Sequence, residues 1–280
     1  MGVINVTPDS FADPTHLVPI DGHSPDVARA VATGVAMEAA GADLLDIGGE
    51  STRPGATAVS EDEELARVVP VVQALARLVG IPVSVDTHKP RVAASVIEAG
   101  AAMINDISGL RDGAELGEVA ARTGAPLILM HMRGRSTTMY EFASYTDLIG
   151  EVTTELEASI ALAERAGVAR DRIVVDPGIG FAKRAEHSYG VLAYLHELAS
   201  RVGRPVLVGP SRKSFLQEAA GGRPPHERDW ATAGAVAAAV LAGAHIVRVH
   251  AVAEMVQVVR VAEAIRLAAA AREHDHGTET

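Results

Sequence analysis

Short apolar, β-branched runs recur along the chain: VINV (3–6), DLLDI (43–47), IPVSV (81–85), AMINDI (102–107), PLILM (126–130), RIVVD (172–176), PVLVG (205–209) and HIVRV (245–249). Runs of this length and composition predict buried strands. Between them the apolar positions recur with helical spacing. Examples are DVARAVATGVAMEAAG (26–41), the segment that begins at Asp62-Glu63 and runs on through LARVVPVVQALARL, and the stretch 145–167. Gly41, Gly80, Gly100, Gly124, Gly167 and Gly243 each stand where a helix gives way to the next strand. That is the position of a C-cap, which favours a residue free to adopt positive φ.

Eight strands alternating with helices, at roughly thirty residues per unit, fit repeated βαβ units. We therefore expect an α/β fold, a (β/α)₈ TIM barrel of about 250 residues. It is expected to be a single domain over 1–272, followed by a polar, disordered tail over 273–280. An open doubly wound sheet is the alternative, weakened because no G-x-G-x-x-G follows the first strand. The two longest irregular stretches, 8–25 and 132–146, have the length of functional lids or disordered loops. The two histidines of the terminal EHDHGTET read as a solvated end rather than a metal tract.

Composition narrows the function classes. The chain has 280 residues, enough for a sizeable core, and no cysteine, which removes disulfides and thiolate metal sites and fits a reducing compartment. A formal charge of −11 disfavours nucleic acid and anionic membranes as partners. Screening acts over about 8 Å, so a local cluster of Arg and Lys still holds an anion. No apolar run is long enough for a membrane span, and no leader pattern is present. The opening MGVINV lacks a myristoylation signal because Val6 stands where Ser or Thr is needed. A cytoplasmic protein with small-molecule partners is expected.

Candidate chemistry lies at the strand ends. The first run supplies Asn5 and Thr7; the second Asp46, Glu50, Thr52 and Arg53; the third Asp86; the fourth Asn105 and Asp106; the fifth His131; the sixth Asp176; the seventh Ser211, Arg212 and Lys213; the eighth Arg248 and His250. A barrel gathers these positions on one face. Singly each has a bland explanation: Asp46 as a backbone cap, Asp106 as a turn residue before Ile107-Ser108-Gly109, His131 as a satisfied core histidine. Together, so many polar groups in apolar strands are costly to bury without a ligand. Carboxylates at 86 and 176 with the amide of Asn105 suit a flat heterocycle carrying adjacent N–H donors. Arg248 can stack on such a ring, and Arg53, Lys213, Arg248 and His250 supply positive charge for phosphate. Asn5 offers a hard oxygen to Mg²⁺, which binds through few protein ligands plus phosphate and water. The Ser-Arg-Lys run opens the next helix, whose amides favour an anion. The P-loop, H-E-x-x-H and G-x-S-x-G motifs are absent.

The segments NVTPDSF (5–11), DIGGESTRPGA (46–56), SVDTHKP (84–90), INDISG (104–109), LMHMRG (129–134), DPGIGFAK (176–183), GPSRKSF (209–215) and IVRVH (246–250) closely resemble the dihydropteroate synthase family, in order, from residue 2 to about residue 265. The resemblance implies a barrel that joins a hydroxymethyl-dihydropterin pyrophosphate to p-aminobenzoate and releases pyrophosphate, with Mg²⁺ as cofactor. It implies Asp86, Asn105, Met130, Asp176, Gly209, Lys213 and Arg248 as the pterin set, with Arg248 stacked on the ring. Asn5, Arg53, Arg248 and His250 would take the pyrophosphate, Asn5 also the metal. Thr52, Arg53, Pro54, Phe181, Ser211 and Lys213 would frame the p-aminobenzoate site. Phe11 and Asp13 would close over the reacting centre, and Asp86, Asp176, Lys213 and Arg248 would carry the catalysis.

The family places residues ahead of the first strand, an Asp-Gly-Gly where Asp13-Pro14 stands, and an Asp where Ala251 follows His250. A pterin-binding methyltransferase barrel is the nearest enzymatic rival, but needs neither Arg53 nor the Ser-Arg-Lys run. A silent pterin-binding subunit is the rival from another class. The last helix is expected over about 252–272, carrying Met255, Val259, Ala262, Ile265 and Arg266. The resemblance implies a homodimer through the late helices.

Overall fold

The computed structural model describes residues 1–7, 26–51 and 56–277, with side chains to residue 271. Eight short strands are present: β1 (Gly2–Asn5), β2 (Leu45–Gly48), β3 (Val83–Asp86), β4 (Met103–Asp106), β5 (Leu127–Met130), β6 (Ile173–Asp176), β7 (Leu207–Val208) and β8 (Ile246–Val247). The first six pair in sequence order, all parallel, and β7 pairs with β8. Single parallel bridges join Val175 to Val206 and Gly2 to Val249, closing the ring. The Val3 amide donates to the Val249 carbonyl at 3.0 Å across that closure. The expected barrel is present, with all eight predicted strands.

Nine α-helices occur among the described residues: α1 (Val27–Ala39), α2 (Glu61–Leu78), α3 (Pro90–Glu98), α4 (Glu115–Thr123), α5 (Leu148–Arg165), α6 (Ala185–Ala193), α7 (Leu195–Val202), α8 (Asp229–Leu241) and α9 (Val252–Gly277). Gly41, Gly100, Gly124, Gly167 and Gly243 take positive φ at helix ends, as the sequence predicts. Gly80 does not: α2 stops at an extended Val79, and the Gly80 amide donates to Glu38 Oε1 of α1 at 2.7 Å. Between β6 and β7 the helix is broken in two at Tyr194 (φ −109°, ψ 21°), a break without Pro or Gly to announce it. The backbone of α9 continues to Gly277, past the expected end at 272.

Period-two alternation sorts the strands into two surfaces. Ile4, Leu45, Ile47, Val83, Val85, Ile104, Leu127, Leu129, Ile173, Val175, Val206 and Val208 point outward into the layer beneath the helices and are buried there. The other parity points inward. Met1, Leu44, Met103, Ile128, Val174, Leu207 and Ile246 form one apolar cluster that plugs the barrel floor. Two residues further along these same strands stand Asp46, Asn105, Met130, Asp176, Gly209 and Arg248. The alternation that fills the floor thus fixes which side chains line the mouth. No helix among the described residues is long and apolar enough to cross a membrane.

Candidate active site

Register places the mouth in one layer. Asn5 pairs with Gly48, Gly48 with Asp86, and Asp86 with Asn105 across four consecutive strands. Gly48 leaves the space between its neighbours open: a Cβ there would lie 3.6 Å from Asn5 Oδ1 and 3.9 Å from the Asp86 Cβ. Arg248, entering from the end of β8, crosses this layer. Its Nε donates to Asp46 Oδ2 at 2.6 Å and its Nη2 to Asp86 Oδ2 at 3.3 Å. Asp46 Oδ2 also accepts from Asn105 Nδ2 at 3.1 Å. One fully buried carboxylate thus holds two side chains of the predicted pterin set. The Asn105 amide is turned so that its nitrogen faces Asp46. Asp46 Oδ1 has no hydrogen-bond partner among the described residues.

The opposite side of the mouth is built on the turn after β6. The Asp176 carboxylate accepts the Gly178 amide at 2.7 Å, and Lys213 Nζ donates to the Ile179 carbonyl at 2.5 Å. Lys213 Nζ also lies 4.5 Å from the centre of the Phe181 ring, within range of a cation–π contact. Phe181 packs with Met130, Met132, Met139 and Ala182 in a small apolar cluster beside the polar layer. A charged, hydrogen-bonding half and an aromatic half therefore meet at Lys213. That pairing suits a ligand with a polar heterocycle at one end and an aromatic ring at the other.

Charge balance sets the chemistry. Asp46, Asp86 and Asp176 face Arg248 and Lys213. Burial pushes the Asp86 carboxyl up to about 8, with Arg248 opposing the rise. Burial raises Asp176 as well, against the pull of Lys213. Burial likewise lowers Lys213 to about 8, with Asp176 opposing. An excess of acidic groups whose ionisation burial disfavours suits a ligand that becomes more positive as it reacts, since charge is stabilised strongly in a partly dry site.

The other predicted residues divide clearly. Ser211 and His250 stand together at the mouth's edge: the hydroxyl lies 2.9 Å from His250 Nδ1 and accepts the His250 amide at 3.2 Å. Arg212, at φ +61°, is committed to a two-point ion pair with Asp229, both contacts 2.8 Å. Asp106 has outward parity and caps its own turn, accepting the Ser108 and Leu110 amides at 2.8 and 2.7 Å, so the turn explanation holds. His131 is buried away from the mouth against Lys183, at 2.7 Å. Ala251 opens α9 through its carbonyl, which accepts the Met255 amide at 3.0 Å. Phe11, Asp13, Thr52, Arg53 and Pro54 lie outside the described residues. Sequence reasoning left Asp46 and Lys183 without a role. Asp46 carried a usable signal, an acid inside an apolar strand with the parity of the mouth; Lys183 carried none apart from its motif.

A closed eight-stranded barrel with an acid-and-arginine layer at the carboxyl ends of its strands defines an enzyme of the barrel class. Residues 1–250 match the family described as pterin binding enzyme, and the chain belongs to that family. It is 46% identical over 250 residues to the dihydropteroate synthase of Synechocystis sp., covering 89% of this chain and 84% of that one. Among solved structures, that of the Yersinia pestis dihydropteroate synthase with a sulfonamide drug complex superposes with a TM-score of 0.88 at 42% identity, covering 96% of this chain and 93% of that one. The Xanthomonas albilineans dihydropteroate synthase with 4-aminobenzoic acid gives 0.85 at 42% identity, covering 95% and 92%.

Proposed function

We infer that this chain is a transferase that works as a dihydropteroate synthase in folate biosynthesis, joining 6-hydroxymethyl-7,8-dihydropterin pyrophosphate to p-aminobenzoate. The observation that carries the reading is the Arg248 bridge over Asp46 and Asp86, with Asn105 turned by the same acid and Lys213–Phe181 adjoining. The pterin's N–H edge meets Asp86 and Asp176, its acceptor edge Lys213, and its face the Arg248 guanidinium. Asn105 presents its amide oxygen to the same ring.

The reaction proceeds by departure of pyrophosphate. The C–O bond breaks with its electron pair leaving on the phosphate oxygen, and positive charge spreads over the pterin. Asp86 and Asp176 stabilise that charge as it grows. Arg248 and His250 hold the leaving anion, and p-aminobenzoate is framed by Phe181, Lys213 and Ser211. Its nitrogen attacks the cationic carbon and then loses a proton. A weakly basic amine suffices against a cation, so no strong general base is required.

Mg²⁺ is the proposed cofactor. No group of three or more His, Cys, Asp or Glu side chains suited to a metal occurs among the described residues. The oxygen chemistry of Asn5, beside Gly48, fits a cation held mostly by phosphate and water. When bound, it would neutralise charge on the leaving group. We further propose a cytoplasmic homodimer. In support, α8 exposes Trp230 (91%) and Leu241, and α9 exposes Val261, Ile265 and Leu267. A groove of about 970 Å³ runs beside Trp230, lined also by Tyr189, Leu216 and Ala238.

The direct test is product formation. Purified protein given both substrates and Mg²⁺ is expected to release pyrophosphate and yield dihydropteroate by mass spectrometry, dependent on p-aminobenzoate and lost in Lys213→Ala. Pterin binding by calorimetry without any product would overturn the reading.

A further inference from the structure

Among the described residues outside the substrate layer lies a buried basic pair that the mechanism does not use. Lys183 is 1% exposed, and its Nζ lies 2.7 Å from His131 Nδ1. The same Nζ donates to the Phe181 carbonyl at 3.3 Å. His131 Nε2 in turn lies 3.1 Å from Glu155 Oε2 on α5, and Arg133 grips Glu155 and Glu151. Tyr145 covers the pair: its ring lies 5.8 Å from Lys183 Nζ, and its hydroxyl donates to the Ala182 carbonyl at 3.0 Å. A chain of contacts thus runs from the partly exposed Glu155 through His131 and Lys183 into the turn that carries Phe181.

That turn needs holding. Gly178, Gly180 and Ala182 all take positive φ, at 70°, 78° and 48°. Ala182 does so with a Cβ, a conformation that L-residues seldom adopt without support from their surroundings. The turn is gripped on two sides by two lysines. Lys213, at the mouth, takes the Ile179 carbonyl; Lys183, beneath, takes the carbonyl of Phe181. The Phe181 ring then stands over Lys213 Nζ at 4.5 Å.

We propose that Lys183 is a positioning residue for the second substrate: anchored on His131, it fixes the Phe181 carbonyl and so the ring that frames p-aminobenzoate. The inference rests on the reading of Phe181 as part of that site. Protonation supports it. Burial, helped by the neighbouring Lys183, lowers His131 to about 4, so the imidazole is neutral at physiological pH. Its Nδ1 lone pair then accepts from Lys183 while Nε2–H is donated to Glu155. Burial would raise the Glu155 carboxyl, but the bonds from His131 and Arg133 hold it down at about 2, so it remains an anion for that donor. Burial lowers Lys183 to about 7, with Asp176 and Glu155 opposing and Lys213 and Arg133 adding to the fall. Protonated or not, the amine keeps at least two N–H donors for its two acceptors.

The test is steady-state kinetics with each substrate varied, together with calorimetry of pterin binding. Lys183→Met and His131→Leu are expected to raise KM for p-aminobenzoate at least fivefold, with kcat and the pterin Kd changed less than twofold. His131→Asn places an amide oxygen near the lost Nδ1 and is expected to restore KM to within twofold. If Lys183→Met is too unstable to assay, the two His131 variants decide. An unchanged KM for p-aminobenzoate in a folded Lys183→Met or His131→Leu, or an equal loss of pterin affinity, overturns the proposal. Absence of turnover in the unaltered protein would instead overturn the synthase reading on which it rests.

Discussion

At the scale of single residues, the site turns on one buried acid. Asp46 touches no ligand in the proposed reaction, yet it accepts from both Arg248 and Asn105. Hydrogen bonds to charged groups contribute roughly 1.5–3 kcal/mol. Asp46→Asn is therefore expected to lower kcat/KM for the pterin substrate by about ten- to a hundredfold, with smaller change in KM for p-aminobenzoate. Initial rates with each substrate varied check this. The titrations of Asp86 and Lys213 make a second prediction. Both are held near pH 8, the acid raised and the amine lowered. As pH falls below that value Asp86 gains a proton and loses its acceptor role; as pH rises above it Lys213 loses its charge. The profile of kcat/KM for the pterin substrate is expected to be a bell peaking near pH 8, with both limbs set by the free enzyme. A flat profile from pH 6.5 to 9 would contradict this assignment.

At the scale of elements, parity does most of the sorting. Asn105, Asp176 and Arg248 were legible as site residues because each is polar at the end of an apolar run. The strand's two-residue period then places them on the side of Met103, Val174 and Ile246, which plug the floor. The same period sends Asp106 outward, where it caps a turn; sequence position alone does not distinguish it from its neighbour. The break at Tyr194 and the extended end at Val79 were not legible either. The end at Val79 is marked by a contact from elsewhere in the chain, Glu38 taking the Gly80 amide, rather than by local propensity. The turn after β6 makes a testable case. A Cβ at Gly178 would collide with the His131 carbonyl oxygen, and φ there is 70°. Gly178→Ala is expected to destabilise the fold by about 2–4 kcal/mol, from positive φ plus overpacking, as read by urea unfolding.

For the whole molecule, alternation of eight apolar runs with helices predicted a parallel sheet covered by helices, and the missing G-x-G-x-x-G after the first run favoured the closed barrel over an open doubly wound sheet. The ring nonetheless closes through single bridges on either side of β7 and β8, each strand only two residues long. Sequence patterning overstates those two strands because an apolar run records burial, whereas a strand also needs a paired neighbour in register. The proposed dimer surface was less legible still. Apolar residues exposed on α8 and α9 stand outside any core, and a helix pattern does not distinguish covering the barrel from meeting a second subunit. If these helices form the dimer face, Trp230→Glu is expected to shift the protein from dimer to monomer by sedimentation velocity without unfolding it. A monomeric unaltered protein would remove that role from the late helices.

The central claim is that the acid-and-arginine layer stabilises a pterin cation after pyrophosphate has left. Positional isotope exchange reads that step directly. The pterin pyrophosphate is labelled with ¹⁸O in the bridge between carbon and phosphorus and incubated with the enzyme and Mg²⁺ in the absence of p-aminobenzoate. Reversible departure is expected to scramble the label into non-bridging phosphate positions, visible by phosphorus NMR, and saturating p-aminobenzoate is expected to suppress the scrambling by capturing the cation. Normal turnover with the amine but no scrambling without it would contradict a free cation and point to direct displacement.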